Sequence, residues 1–196
     1  MIEQRIAYHY TRREQWDIMN HGRKECMYYK PGTRKTFKSS KVRGLWPRDE
    51  FIPSYIKNFP REAHCPVTYA LTEPEPQSWI SKGDAWPYLM QYLTDQVDQR
   101  LVLLKIHLLP TDRALVVDAA LLLKIEEEES EVRRKELYRQ RWETRIPLWE
   151  YNDKAHALPE IIIPTAIPLE RLKKVWEKDA HKVYRKAKRV YEQLRQ

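Results

Sequence analysis

Glycine and cysteine are both scarce in this sequence. Its 196 residues include only four glycines, Gly22, Gly32, Gly44 and Gly83. No G-x-G-x-x-G or G-x-x-x-x-G-K-[ST] segment can be assembled from them. Nucleotide-phosphate cradles of those types need glycine where backbone approaches phosphate, and they are excluded. The two cysteines, Cys26 and Cys65, are too few for a disulfide framework or an all-cysteine zinc site. Each reads as a small buried thiol. The six histidines, His9, His21, His64, His107, His156 and His181, show no H-x-H or H-x-x-x-H spacing, and no metal is expected. Long apolar runs are missing too. The longest are of the size of Ala119–Leu123 and Ile161–Ile163, whereas a bilayer-spanning helix takes about 20 apolar residues. The start, Met1-Ile-Glu-Gln-Arg, has no apolar leader. The expectation is a cytoplasmic protein with no membrane partner.

What is present is core material and positive charge. Hydrophobic residues make up 42% and charged residues 33%, and Lys plus Arg exceed Asp plus Glu by 36 to 28, a net charge of +8. That is enough apolar content for one globular domain over 1–196, and a basic balance suits a polyanion such as DNA or RNA. Ile6, Ala7, Tyr8 and Tyr10 predict a first strand over 2–10. Thr11 as cap, with Glu14 three residues on, then starts a helix that Gly22 stops. Residues 23–66 are rich in proline, Lys and Arg and read as a long basic, aromatic loop. Strands are predicted at Val67–Leu71, Leu101–Leu108, Ala114–Ala119 and Leu158–Ile163. Helices are predicted after Glu73, after Pro87 and from Glu126 to Arg141. A long basic helix over 168–195 follows from apolar residues at Leu172, Val175, Trp176, Ala180, Val183 and Tyr184. The sum is an α+β domain.

Two constellations carry chemistry. Lys30, Arg34, Lys35, Lys38, Lys41 and Arg43 surround Phe37, with Trp46 close by. Cations meet phosphates and flat rings stack on bases, which points to nucleic acid. The same run also fits a solvated loop, or a clamp on a nucleotide pyrophosphate. The second is His9, which strand alternation places on one face with Ala7 and Thr11 while Tyr8 and Tyr10 take the other. By itself His9 reads first as a hydrogen-bonded core histidine.

Tyr8-His-Tyr-Thr11, with the helix that ends at His21-Gly22, resembles the opening motif of the ADP-ribosyltransferase superfamily, in its His-Tyr-Glu group. That group includes poly-ADP-ribose-polymerase-like domains, tRNA 2′-phosphotransferases and DNA-modifying toxins. Val67-Thr-Tyr-Ala-Leu71 followed by Pro76 and Ser78-Trp79 resembles its second motif. Pro159-Glu-Ile-Ile-Ile-Pro164, with Ile167-Pro-Leu-Glu-Arg-Leu172, resembles its third. The order matches and spans nearly the whole chain, although residues 23–66 follow no family pattern. The resemblance implies a split mixed β-sheet with flanking helices and NAD as substrate. It implies Glu160 as the catalytic carboxylate, with His9, Thr11 and Tyr69 as NAD-binding residues. The reaction implied is ADP-ribosyl transfer, with nucleic acid as an acceptor class. A tRNA 2′-phosphotransferase-like enzyme and a non-catalytic nucleic-acid-binding protein on the same fold are the alternatives. The chemistry suits these residues: breaking the nicotinamide–ribose bond develops positive charge on the ribose, which a carboxylate stabilises. Glu160 as a solvated strand-edge carboxylate and Tyr69 as a plain core aromatic are the competing readings.

Overall fold

A computed structural model describes residues 4–21, 26–29, 36–39, 43–82, 85–94, 100–152 and 155–194. Strand β1 (Arg5–Arg12) alternates as its sequence dictates: Ala7 enters one core cluster, while Tyr8 and Tyr10 enter another. Helix α1 (Arg13–His21) follows directly. Thr11 stays in the strand ladder opposite Val102, so the predicted cap at Thr11 gives way to a later helix start.

Two main sheets form. The first has the order β1-β6-β10, with β6 (Arg100–Leu108) in the middle and both neighbours antiparallel to it. Leu101, Val102, Leu103, Leu104 and Ile106 of β6 are all buried, as expected for a strand covered on both faces. Strand β10 (Leu172–Asp179) overturns the predicted helix over 168–195. A short 3-10 turn at Leu169–Arg171 precedes it, and the helix, α6, covers only Ala180–Leu194. Leu172, Val175 and Trp176 have helical spacing, but they lie beside the unpaired edge of β6. Ladder hydrogen bonds there outweigh a local period, with a register shift between Lys174 and Trp176 absorbing the mismatch.

The second sheet has the order β4-β5-β9-β7-β8. Its strands are β4 (Asp49–Glu50), β5 (Pro66–Ala70), β7 (Leu115–Asp118), β8 (Ile146–Pro147) and β9 (Pro159–Ile163). Every pairing among the described residues is antiparallel, so the expected mixed sheet is antiparallel instead. A separate ribbon pairs β2 (Cys26–Tyr29) with β3 (Thr36–Ser39). The stretch 23–66 is therefore not loop throughout. Beyond the ribbon and β4 it buries Phe51, Ile52 and Ile56 in a core cluster with Val67, Val117 and Ile162. Its apolar residues outweigh its basic character.

Helices α2 (Gln77–Ile80), α3 (Ala85–Thr94), α4 (Ala120–Glu127) and α5 (Glu131–Glu143) complete the fold. The predicted helix from Glu126 to Arg141 is two helices. The Ser130 hydroxyl accepts a hydrogen bond from the Arg133 amide at 3.3 Å and caps α5 afresh. Gly44 has a φ of +115°, and a Cβ there would meet the Ile167 carbonyl oxygen at 2.3 Å, so only glycine fits. The two sheets meet at one isolated bridge. Tyr8 N donates to Leu71 O at 2.8 Å and Leu71 N to Tyr8 O at 2.7 Å. No helix among the described residues is long and apolar enough to cross a membrane.

Candidate active site

A cavity of about 480 Å³ opens where the two sheets meet, within the roughly 300–1,000 Å³ of small-molecule sites. Strands supply its polar wall: His9 of β1, Asp49 and Glu50 of β4, Tyr69 of β5 and Glu160 of β9. Helices α2, α3 and α4 supply Trp79, Leu89, Leu122 and Leu123, with Tyr88 and Glu126 also facing the cavity. The Tyr88 hydroxyl donates to Glu126 Oε2. No Lys or Arg is among the lining side chains of the described residues.

Register explains how three distant residues meet. In the second sheet Tyr69 pairs with Ile162 and Val117 with Glu160. Residues two apart on a strand share a face, so Tyr69, Ile162, Val117 and Glu160 stand on one side of the sheet. β1 reaches that side through its bridge to Leu71, and His9 Nδ1 lies 2.7 Å from the Tyr69 carbonyl oxygen. A carbonyl only accepts, so Nδ1 carries the hydrogen and Nε2 of the neutral ring keeps its lone pair. Burial holds the imidazole below its ordinary value, against the opposing pull of that hydrogen bond.

Glu160 is buried. Burial pushes its carboxyl up, and the Arg141 guanidinium pulls it back by charge and by a hydrogen bond from Nη2 to Oε2 at 2.9 Å. Tyr69 donates its hydroxyl to Glu50 O at 3.2 Å, and burial pushes the phenol well above its usual range, so it stays protonated. Tyr10 donates to Pro74 O at 2.5 Å and behaves likewise.

His9, Tyr69 and Glu160 thus line one cavity. Thr11, further along β1, is buried and is not among the lining residues. Lys30, Arg34, Lys35 and Lys41 lie outside the described residues. Lys38 has a described backbone place on β3, and Arg43 is exposed. The Cys65 thiol is half-buried rather than buried as expected, and its Sγ donates to the Arg61 carbonyl oxygen at 3.8 Å. No group of three or more His, Cys, Asp or Glu side chains able to hold a metal occurs among the described residues.

Sequence reasoning missed Arg141. A signal existed: Leu137, Tyr138, Arg141 and Trp142 form a stripe at helical spacing. An arginine inside an apolar stripe marks a buried charge with a partner. Glu50, Asp49 and Glu126 carried no such signal, because each sits in an ordinary charged stretch. Comparisons of the chain with protein families, with curated proteins and with solved structures find no match.

Proposed function

We propose that this protein breaks the nicotinamide–ribose bond of NAD and transfers ADP-ribose, with nucleic acid as the acceptor class. The observation that carries the reading is the meeting of His9, Tyr69 and Glu160 in one cavity between two sheets. The nicotinamide ring of NAD is a flat cation. A wall of aromatic side chains and carboxylates suits such a ring, and it repels a pyrophosphate. The nicotinamide riboside half is therefore the part that fits inside, with the phosphates directed out of the cavity. A 2′-phosphotransferase needs Arg or Lys where it grips phosphate, and the described lining residues supply none, which favours the first reading.

In this mechanism Tyr69 presents its ring to nicotinamide, and His9 Nε2 accepts a hydrogen bond from a ribose hydroxyl. Nicotinamide leaves with the electron pair of the broken bond. Glu160 stabilises the positive charge that develops on the ribose. An oxygen or nitrogen of the acceptor then bonds to the anomeric carbon and releases its proton to water.

Nicotinamide release from NAD, measured with and without DNA or RNA, tests this. Glu160→Ala is expected to lower kcat/KM by about 100- to 1,000-fold, as loss of one transition-state electrostatic contact does elsewhere, while the far-ultraviolet circular dichroism stays unchanged. Equal turnover by variant and parent removes Glu160 from the mechanism. No NAD binding by the intact protein removes the reading altogether.

A further inference from the structure

Arg141 is 1% exposed, though α5 is otherwise largely charged and solvated. Its Nη2 donates to Glu160 Oε2 at 2.9 Å. The centre of its guanidinium lies 4.5 Å from the centre of the Phe51 ring and 5.6 Å from that of Tyr69. One buried group thus touches two side chains of the cavity wall without lining the cavity itself. A buried ion pair is a poor source of stability. Removing two charges from water offsets their attraction, and packed apolar residues commonly serve a core as well. The pair therefore needs an account other than stability.

We infer that Arg141 is the positioning residue of this site: it anchors Glu160 by one oxygen, leaves the other for what the cavity binds, and braces the Tyr69 ring. The inference rests on reading Glu160 as the carboxylate that meets the ligand, and it deepens that reading by naming what holds the group in place. Stacking on Phe51 fixes the planar guanidinium, and a fixed plane directs its N–H groups in a way that a lysine ammonium does not. The groups facing Glu160 come from several elements. Arg141 approaches from α5, Asp49 from β4 and Tyr69 from β5, while His9 of β1 and Glu126 of α4 line the same cavity. Burial and Asp49 favour the protonated carboxyl, and Arg141 opposes both. Loss of Arg141 removes that opposition and shifts the buried carboxyl further toward its protonated form.

The test follows the Glu160 side-chain carboxyl by carbon-13 NMR across pH, in protein labelled at glutamate and assigned with Glu160→Gln. In Arg141→Met the titration midpoint of Glu160 rises by about one unit or more, the usual effect of removing a close opposite charge. The acid limb of the pH profile for nicotinamide release moves up with it. Arg141→Lys keeps the charge and loses the fixed plane. It lowers kcat while KM for NAD holds, and it covers the case in which Arg141→Met does not fold. An unchanged Glu160 midpoint in Arg141→Met, or an unchanged kcat in Arg141→Lys, overturns the inference. A shifted midpoint in a protein whose parent does not cleave NAD leaves the anchoring in place and removes only the NAD reading.

Discussion

His9 shows how one hydrogen bond settles the state of a residue. The Tyr69 carbonyl fixes the hydrogen on Nδ1, and burial disfavours a second proton. Its folded-state pKa is therefore depressed, while an unfolded chain protonates histidine at its ordinary value of about 6.5. As pH falls through that value the unfolded state takes up protons first, and the stability contributed by neutral His9 is lost. Glu160, held above its ordinary value, acts with the opposite sign, because the folded state takes up its proton first as pH falls. Urea midpoints between about pH 7 and pH 5 are expected to fall less in His9→Gln than in the parent. Equal pH slopes would show that His9 takes up protons equally in both states. The residue itself was legible in the sequence, because strand alternation set its face and the motif around it suggested a role. Its partner was not, since nothing local says which carbonyl from β5 will lie opposite. Arg141 was less legible still: burial of a charge is decided by packing between α5 and the second sheet.

At the scale of elements, strands with long apolar content were readable and elements that depend on a neighbour were not. Strands β5, β6, β7 and β9 fall close to their predicted places, because runs such as Ile161–Ile163 have only a core to go to. Strand β10 alternates poorly and exists because β6 offers an edge. It still carries exposed Lys173, Lys174 and Lys178, a composition that keeps an outer strand from recruiting another chain. The start of α5 matters for the site, since this helix delivers Arg141. Ser130→Ala removes the hydroxyl that accepts from the Arg133 amide. It is expected to cost about 1 kcal/mol of stability by urea denaturation. A change near zero would mean that water replaces the cap without loss.

At the scale of the molecule, two antiparallel sheets come from distant stretches of chain, and the cavity belongs to neither alone. The order of His9, Tyr69 and Glu160 along the chain was legible, whereas the placing of Asp49 and Glu50 beside them depends on a two-residue strand within a stretch that reads as loop. The sheets share a core cluster, and one backbone bridge joins them beside the cavity. Tyr8 and Leu71 exchange two backbone hydrogen bonds, and both residues also line the cavity. Their amide protons are therefore a gauge of how far the sheets part. An opening that parts the two sheets breaks those two bonds and exposes both amides to solvent together, before the ladder between β1 and β6 is disturbed. In native-state hydrogen exchange, Tyr8 and Leu71 are expected to exchange at matching rates, faster than Val102 or Leu104, and NAD is expected to slow both alike. Unequal rates for the pair would mean that the seam frays from one side instead of opening as a unit.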